Sequence, residues 1–220
     1  MIKNYDIELQ SVKQEIVKIA TGLNKANELI VEAIKTCDKK MFNDAKTNIK
    51  NITNKTNDID NSIIKLLALY APEARDLRQV VAYLKITTEL LRASTNTRSF
   101  IRGFIDACKD VDIKTINEYA IPLQNSTTKA INIMVNMLNI DCSDELQDCF
   151  NEVLIEENKT DDLYELLEKN ILQSSKKSDN FEKVHKILKA FRKSAKIADR
   201  TISIANLLVY IKVGGTLQKV

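Results

Sequence analysis

Only 4 glycines and 2 prolines occur in 220 residues. A β-rich or α/β chain of this length needs many more turn residues, so the scarcity leaves long helices joined by few turns. Tryptophan is absent and His185 is the single histidine, which removes metal sites and catalytic triads built on imidazole clusters. No glycine-rich phosphate loop is present, and no serine or cysteine nucleophile has a histidine base near it. The most apolar run, Ile202–Val213, is too short for a membrane span and carries Lys212. The opening MIKNYDIELQ lacks an apolar h-region, so no signal peptide is expected. Cys37, Cys108, Cys142 and Cys149 lack metal-ligand spacing and read as ordinary thiols of a reducing cytoplasm. Lys and Arg number 33 against 30 Asp and Glu, for a net charge of +3. The two signs are interspersed, which describes a mixed solvated surface and not a nucleic-acid stripe.

What the chain does have is helical periodicity. Leu9, Val12, Ile16, Ile19, Leu23, Ala26, Ile30, Ala33 and Cys37 follow one another in alternating steps of three and four. Phe42, Ala45, Ile49, Ile52, Thr56, Ile59, Ile63, Leu66 and Tyr70 do the same. Such seams imply long helices packed at small crossing angles. Asp38 is placed to cap the second helix, and Pro72 suits the first turn of a third that runs to Cys108. After an acidic junction at Lys109–Asp112, a fourth seam runs from Ile116 to Met137, with Pro122 marking a kink or a late start. A fifth helix is capped by Ser143, its seam running Leu146, Phe150, Val153, Glu157, Thr160, Tyr164, Leu167, Ile171. Ser174–Asn180 reads as a loop, and Asp179 with Glu182 has capping-box spacing. The sixth helix runs from Phe181 past Val209, ended by Gly214-Gly215. Asn54–Asp58 and Asn158–Asp162 match at an offset of 104, the mark of an internal repeat. The expected fold is all-α: six long helices in two tandem antiparallel three-helix bundles, residues 1–109 and 110–220.

The corner between the second and third helices reads Ala71-Pro72-Glu73-Ala74-Arg75-Asp76-Leu77-Arg78, followed by Gln79-Val80-Val81. This spelling resembles the corresponding corner of the PhoU family, bacterial regulators of phosphate uptake. Arg75, Asp76 and Arg78 either tie the third helix to its neighbours by charged hydrogen bonds or dock a partner protein.

The resemblance also implies carboxylate metal clusters. Each repeat of the family carries an acid–acid–amide series at i, i+4 and i+8 late in its third helix, one face of that helix, opposite acids on the second helix. Here Leu91, Thr95 and Ser99 occupy those positions in the first repeat, and the two second-helix acids are replaced by Thr53 and Asn57 in one register or by Ile49 and Thr53 in the other. No metal is expected there. Arg92–Ser99, RASTNTRS, reads as a weak anion groove or as a polar face whose hydroxyls bond nearby carbonyls. In the second repeat Glu157, Asp161 and Asp199 keep acidic positions, with Ala195 and Ser203 flanking Asp199. These three are the candidate ligands of one divalent or iron-type cation; the alternative is ion pairing with Lys159, Lys196 or Arg200.

What the resemblance implies about function is a non-enzymatic cytoplasmic regulator of phosphate uptake and phosphate-starvation signalling. Its partners would be a phosphate transporter ATPase subunit and a sensor histidine kinase. It would be a homodimer, bind no nucleic acid, and meet the membrane only through partners. The alternative is an accessory protein of a different phosphate or ion transporter.

Overall fold

The computed structural model describes residues 2–175 and 181–214. Among them there is no strand, and six helical rods are arranged as two sets of three. In the first set, α1 (Ile2–Thr36) is followed by a rod made of α2 (Lys39–Asn48) and α3 (Ile52–Tyr70), then by α4 (Ala74–Phe104). A 3-10 turn (Cys108–Asp110) and a single helical turn, α5 (Ile113–Thr115), lead to a wide π-turn (Ile116–Ala120) and α6 (Ile121–Met137). With α7 (Ser143–Ser175) and α8 (Phe181–Val213), α6 makes the second set. No helix among the described residues is long and apolar enough to cross a membrane.

The local signals act largely as their chemistry requires. Asp38 Oδ1 accepts the Lys40 N–H at 2.8 Å and starts α2. Gly214 takes φ 79° just after α8 and donates its N–H to the Tyr210 carbonyl, as a C′ glycine does. Pro122 lies in the first turn of α6, directly after the π-turn. A proline ring clashes with the carbonyl four residues back in a regular helix, and the wider π-turn makes room for it. The regular helix therefore starts late. Ser174 and Ser175 are still helical, so the expected loop begins later than the polar run. Its remainder, with Asp179 of the capping box, lies outside the described residues, as does Gly215.

Three expectations are corrected. The second rod is not continuous. Its apolar seam runs through the break because Ile49 and Ile52 are both buried, but Asn51 turns left-handed at φ 57° between α2 and α3. Asparagine tolerates that conformation better than most residues, and Arg98 Nη2 donates to the freed Ile49 carbonyl at 2.7 Å. Pro72 precedes α4 instead of sitting in its first turn. Ala71 and Ala74 both adopt positive φ, 42° and 46°, so the chain turns twice before the helix resumes. Cys37 and Cys108 are joined in a disulfide with Cα atoms 5.7 Å apart, inside the usual range for such a bond. The end of α1 and the chain leaving α4 arrive side by side, a proximity that a spacing of 71 residues does not signal. Cys142 and Cys149 remain free thiols.

The break also explains Gly22. A Cβ at this position in α1 would lie 2.7 Å from the Asn48 carbonyl oxygen, a backbone atom that cannot step aside. We expect Gly22→Ala to destabilise the chain by about 1–3 kcal/mol through overpacking, although alanine is intrinsically the better helix former. Urea unfolding measures this; an unchanged or raised midpoint contradicts the close approach of α1 to α2.

One apolar core runs through both sets. At its centre α4 packs along α8, where Phe100, Phe104 and Phe191 interlock with ring centroids 5.0–5.4 Å apart. A buried polar chain crosses the same boundary. Ser194 Oγ donates to Gln124 Oε1 at 2.7 Å, and Gln124 Nε2 donates to Asn27 Oδ1 at 3.0 Å. Such groups must be bonded when buried, so α1, α6 and α8 are held in one register. Glu89 on α4 adds a bridge, pairing with Arg92 and with Arg200 of α8.

Candidate functional site

The corner after α3 places its charges in two different ways. Arg75 and Asp76 are exposed on the first turn of α4, with Leu77 exposed beside them. Arg78 is half-buried. Its guanidinium lies 5.8 Å from the Tyr210 ring centroid, and a Cβ at Gly214 would collide with it. Arg78 therefore clamps the start of α4 to the end of α8 by a cation–π contact. Of the two roles open to these residues, Arg78 performs the structural one, while Arg75 and Asp76 keep a solvent-facing surface.

The acidic face of the second repeat brings Glu157 and Asp161 on α7 toward Asp199 on α8. Burial pushes the Glu157 carboxyl up, and Asp161 and Asp199 push it further. Asp199 is raised by burial and by Asp161, against a smaller pull down from Arg200 and Arg192. None of the three has an ion pair among the described residues, so the alternative of pairing with Lys159, Lys196 or Arg200 does not hold. Arg200 goes to Glu89 and Lys159 to Glu156. Their oxygen chemistry suits a hard cation, but their placement does not enclose one. Among the described residues no group of three or more His, Cys, Asp or Glu side chains stands where it could hold a metal ion. The Ser203 hydroxyl, beside them in sequence, donates to the Asp199 carbonyl at 2.9 Å.

The carboxylate truly on the apolar seam is Glu156, at 3% exposure, and not Glu157, which is half-buried. Burial raises the Glu156 pKa, but hydrogen bonds from Lys129 and Ser126 and the charges of Lys129 and Lys159 outweigh it and leave it lowered. Lys129 Nζ reaches it at 2.7 Å. Through Oε1, Glu156 ties α7 to α6, while its Oε2 is buried without a hydrogen bond and has only the Lys159 charge 3.7 Å away. Sequence periodicity misplaced it by one position, within the drift of a seam along a long helix.

Because Asp199 binds its proton more tightly in the folded chain, its ionisation opposes folding. The penalty is absent below the unfolded carboxyl pKa, about 4, grows as pH rises through the raised folded value, and is full at neutral pH. Asp199→Asn is expected to gain on the order of 0.5 kcal/mol at pH 7, the scale of a partly exposed charge contact, and nothing below about pH 4. Thermal melts across pH test this; a loss at neutral pH means that the carboxylate is held by a partner.

In the first repeat the corresponding face is closed chemistry. Thr95 Oγ1 donates to the Leu91 carbonyl at 2.8 Å, Thr97 Oγ1 to the Ala93 carbonyl, Arg92 pairs with Glu89, and Arg98 holds Ile49. Thr95 and Thr97 behave as the polar-face reading of Arg92–Ser99 expects, while the buried Ser94 hydroxyl has no hydrogen-bond partner. The repeat offset also reappears in space: Thr56 and Thr160 are both buried, each with its hydroxyl bonded to its own helix.

Two three-rod bundles are joined along α4 and α8, with a charged corner at one end. The family model of the PhoU domain matches residues 16–103, a span that includes the Pro72 corner. A phosphate-specific transport system accessory protein PhoU homolog from Aquifex aeolicus (strain VF5) is 23% identical over 165 residues, covering 75% of this chain and 72% of that protein. The fold is that of the PhoU crystal structure from Pseudomonas aeruginosa, with a TM-score of 0.84 at 19% identity over 96% of this chain and 100% of that one. The phosphate transport system regulatory protein PhoU from Streptococcus pneumoniae gives 0.79 at 17% identity, covering 98% and 100%. The chain is thus similar to PhoU proteins in sequence over part of its length and in fold over nearly all of it.

Proposed function

We propose that this chain is a non-enzymatic cytoplasmic regulator of phosphate uptake and phosphate-starvation signalling, an adaptor between a phosphate ABC transporter's ATPase subunit and a sensor histidine kinase. The observation that carries the reading is the corner. Arg75 and Asp76 stand exposed on a base that Arg78 anchors to α8 and that the fused core holds still. A rigid surface of this kind acts by binding one conformation of a partner more tightly than another and so shifting its population. It needs no catalytic group, and it reaches the membrane only through its partners. In the same reading the protein is a homodimer through exposed helical faces.

A second reading is an accessory protein of a different phosphate or ion transporter. It is favoured by Leu91, Thr95 and Ser99, which stand where the family resemblance implies ligands and which leave the first repeat without any.

For the acidic face we propose at most one divalent or iron-type cation, contributed to by Glu157, Asp161 and Asp199, bound weakly because no cage is preformed. Elemental analysis is expected to give no more than one metal per chain; several iron or zinc atoms per chain contradict this.

The test of function is deletion in the source cell. In phosphate-rich medium, loss of the protein is expected to raise an alkaline-phosphatase-type reporter and phosphate accumulation. Unchanged values in every phosphate condition overturn the proposal, and a response limited to another carrier selects the second reading.

A further inference from the structure

Behind the corner lies an open cleft of about 540 Å3 between the start of α1 and the α3–α4 turn. Among the described residues its wall consists of Tyr5, Asp6, Tyr70, Pro72, Glu73 and Asp76, together with Ala71, and none of these is basic. Tyr5 and Tyr70 meet edge to face, with centroids 5.5 Å apart at 67°. Asp6, Glu73 and Asp76 have no ion pair among the described residues. A second, smaller cavity of about 250 Å3 shares Tyr5, Asp6 and Asp76 with the first. Tyr5 is only 7% exposed, and its buried hydroxyl has no hydrogen-bond partner. Burial, then Asp76 and Asp6, push its pKa up to about 12, so the group stays neutral and able to accept a hydrogen bond. A buried hydroxyl left unbonded costs free energy in the folded chain.

We propose that this cleft is a receptor for an arginine side chain of a protein partner. Three unpaired carboxylates call for a cation. A bare metal ion is disfavoured, because these acids do not form a ligand group. Two tyrosine rings and a proline favour a cation with a flat, weakly hydrated surface, and the guanidinium stacks on aromatic rings while its fork of N–H donors matches carboxylate geometry. Lysine brings a compact, strongly hydrated charge that uses the rings less well. The left-handed Ala71 and Ala74 fix the backbone on which Glu73 and Asp76 are carried. The proposal rests on the corner being the partner surface and names the chemistry of what docks there.

The test is a titration of the isotope-labelled 220-residue chain, followed by amide NMR, with N-acetyl-Gly-Arg-Gly-amide. Parallel arms use the lysine and glutamine analogues and free spermidine. The arginine peptide is expected to give saturable shifts centred on Tyr5, Asp6 and Asp76, binding at least about fivefold tighter than the lysine peptide, with no response to glutamine. Asp6→Asn with Asp76→Asn is expected to weaken arginine binding about tenfold or more. Tyr5→Phe, which keeps the ring and hence the fold, weakens it less. Equal responses to arginine and glutamine overturn the proposal. So does lysine or spermidine binding as tightly as arginine, or binding that survives the double substitution. If the peptide fails while corner substitutions still derepress the cellular reporter, the receptor is wrong and the regulatory reading stands; the opposite pattern separates the two the other way.

Discussion

Phe104→Ala is expected to cost about 3–5 kcal/mol, the range for emptying a fully buried aromatic site. Phe104 is wholly buried at the end of α4 and touches three other rings. Phe100 stacks on it at 5.4 Å, Phe191 of α8 meets it edge-on at 5.0 Å, and Phe42 of α2 approaches at 6.2 Å. Each well-oriented pair adds about 0.5–1.5 kcal/mol beyond its buried area, and the surrounding helices are too long and too well anchored to collapse into the void. Because the ring joins both halves of the molecule, the loss should lower the urea midpoint of the whole far-ultraviolet circular dichroism transition. Phe104→Leu should lose clearly less. A loss below about 1 kcal/mol, far short of an emptied aromatic site, would mean that the two bundles do not share this core.

Reduction of the Cys37–Cys108 bond is expected to cost nearly as much. The bridge closes a loop across a sequence separation of 71. On the chain-entropy account a loop of that size is worth about 4 kcal/mol, or roughly 8–16 °C in melting temperature for a chain of this length. Reductant and the double substitution Cys37→Ala/Cys108→Ala should give the same lowered melting temperature, and adding both should lower it no further. A melting temperature indifferent to reductant, or four titratable thiols in the air-oxidised native protein, contradicts the bond. Disulfides are uncommon in reducing compartments, so counting thiols in protein trapped directly from cells also reports which form the proposed cytoplasmic setting maintains.

Helix count and core faces were legible because periodicity is a local property. Ile16, Leu23, Ile30, Ile63, Phe191 and Ala205 all lie on expected seams, and all are buried. Asp38 and Gly214 were legible for the same reason, since a cap acts within a turn of itself. The break at Asn51 was not, because Ile49 and Ile52 keep their spacing on either side of it. It exists because of distant groups, Gly22 and Arg98, that accommodate the free carbonyls. The disulfide is not legible in the sequence because it depends on where two helices end, and Glu156 because a one-residue drift is invisible until α6 supplies Lys129. At the candidate site, the sequence could place Arg75, Asp76 and Arg78 on one turn but could not divide their roles. That division comes from Tyr210 and Gly214, more than 130 residues away in the chain. The cleft behind the corner was equally hidden, since Tyr5 and Asp6 reach it only through the packing of α1.

The central claim is that regulation passes through the corner and not through metal chemistry on the acidic face. The most direct measurement is the phosphate-starvation reporter in phosphate-rich medium, in a deletion strain carrying plasmid-borne variants at matched protein levels. The account predicts that wild type and Asp199→Asn silence the reporter, while Arg75→Glu/Asp76→Lys leaves it on although the purified variant melts like wild type. A corner variant that silences the reporter as well as wild type, or an Asp199→Asn variant that fails to silence it, would contradict the account.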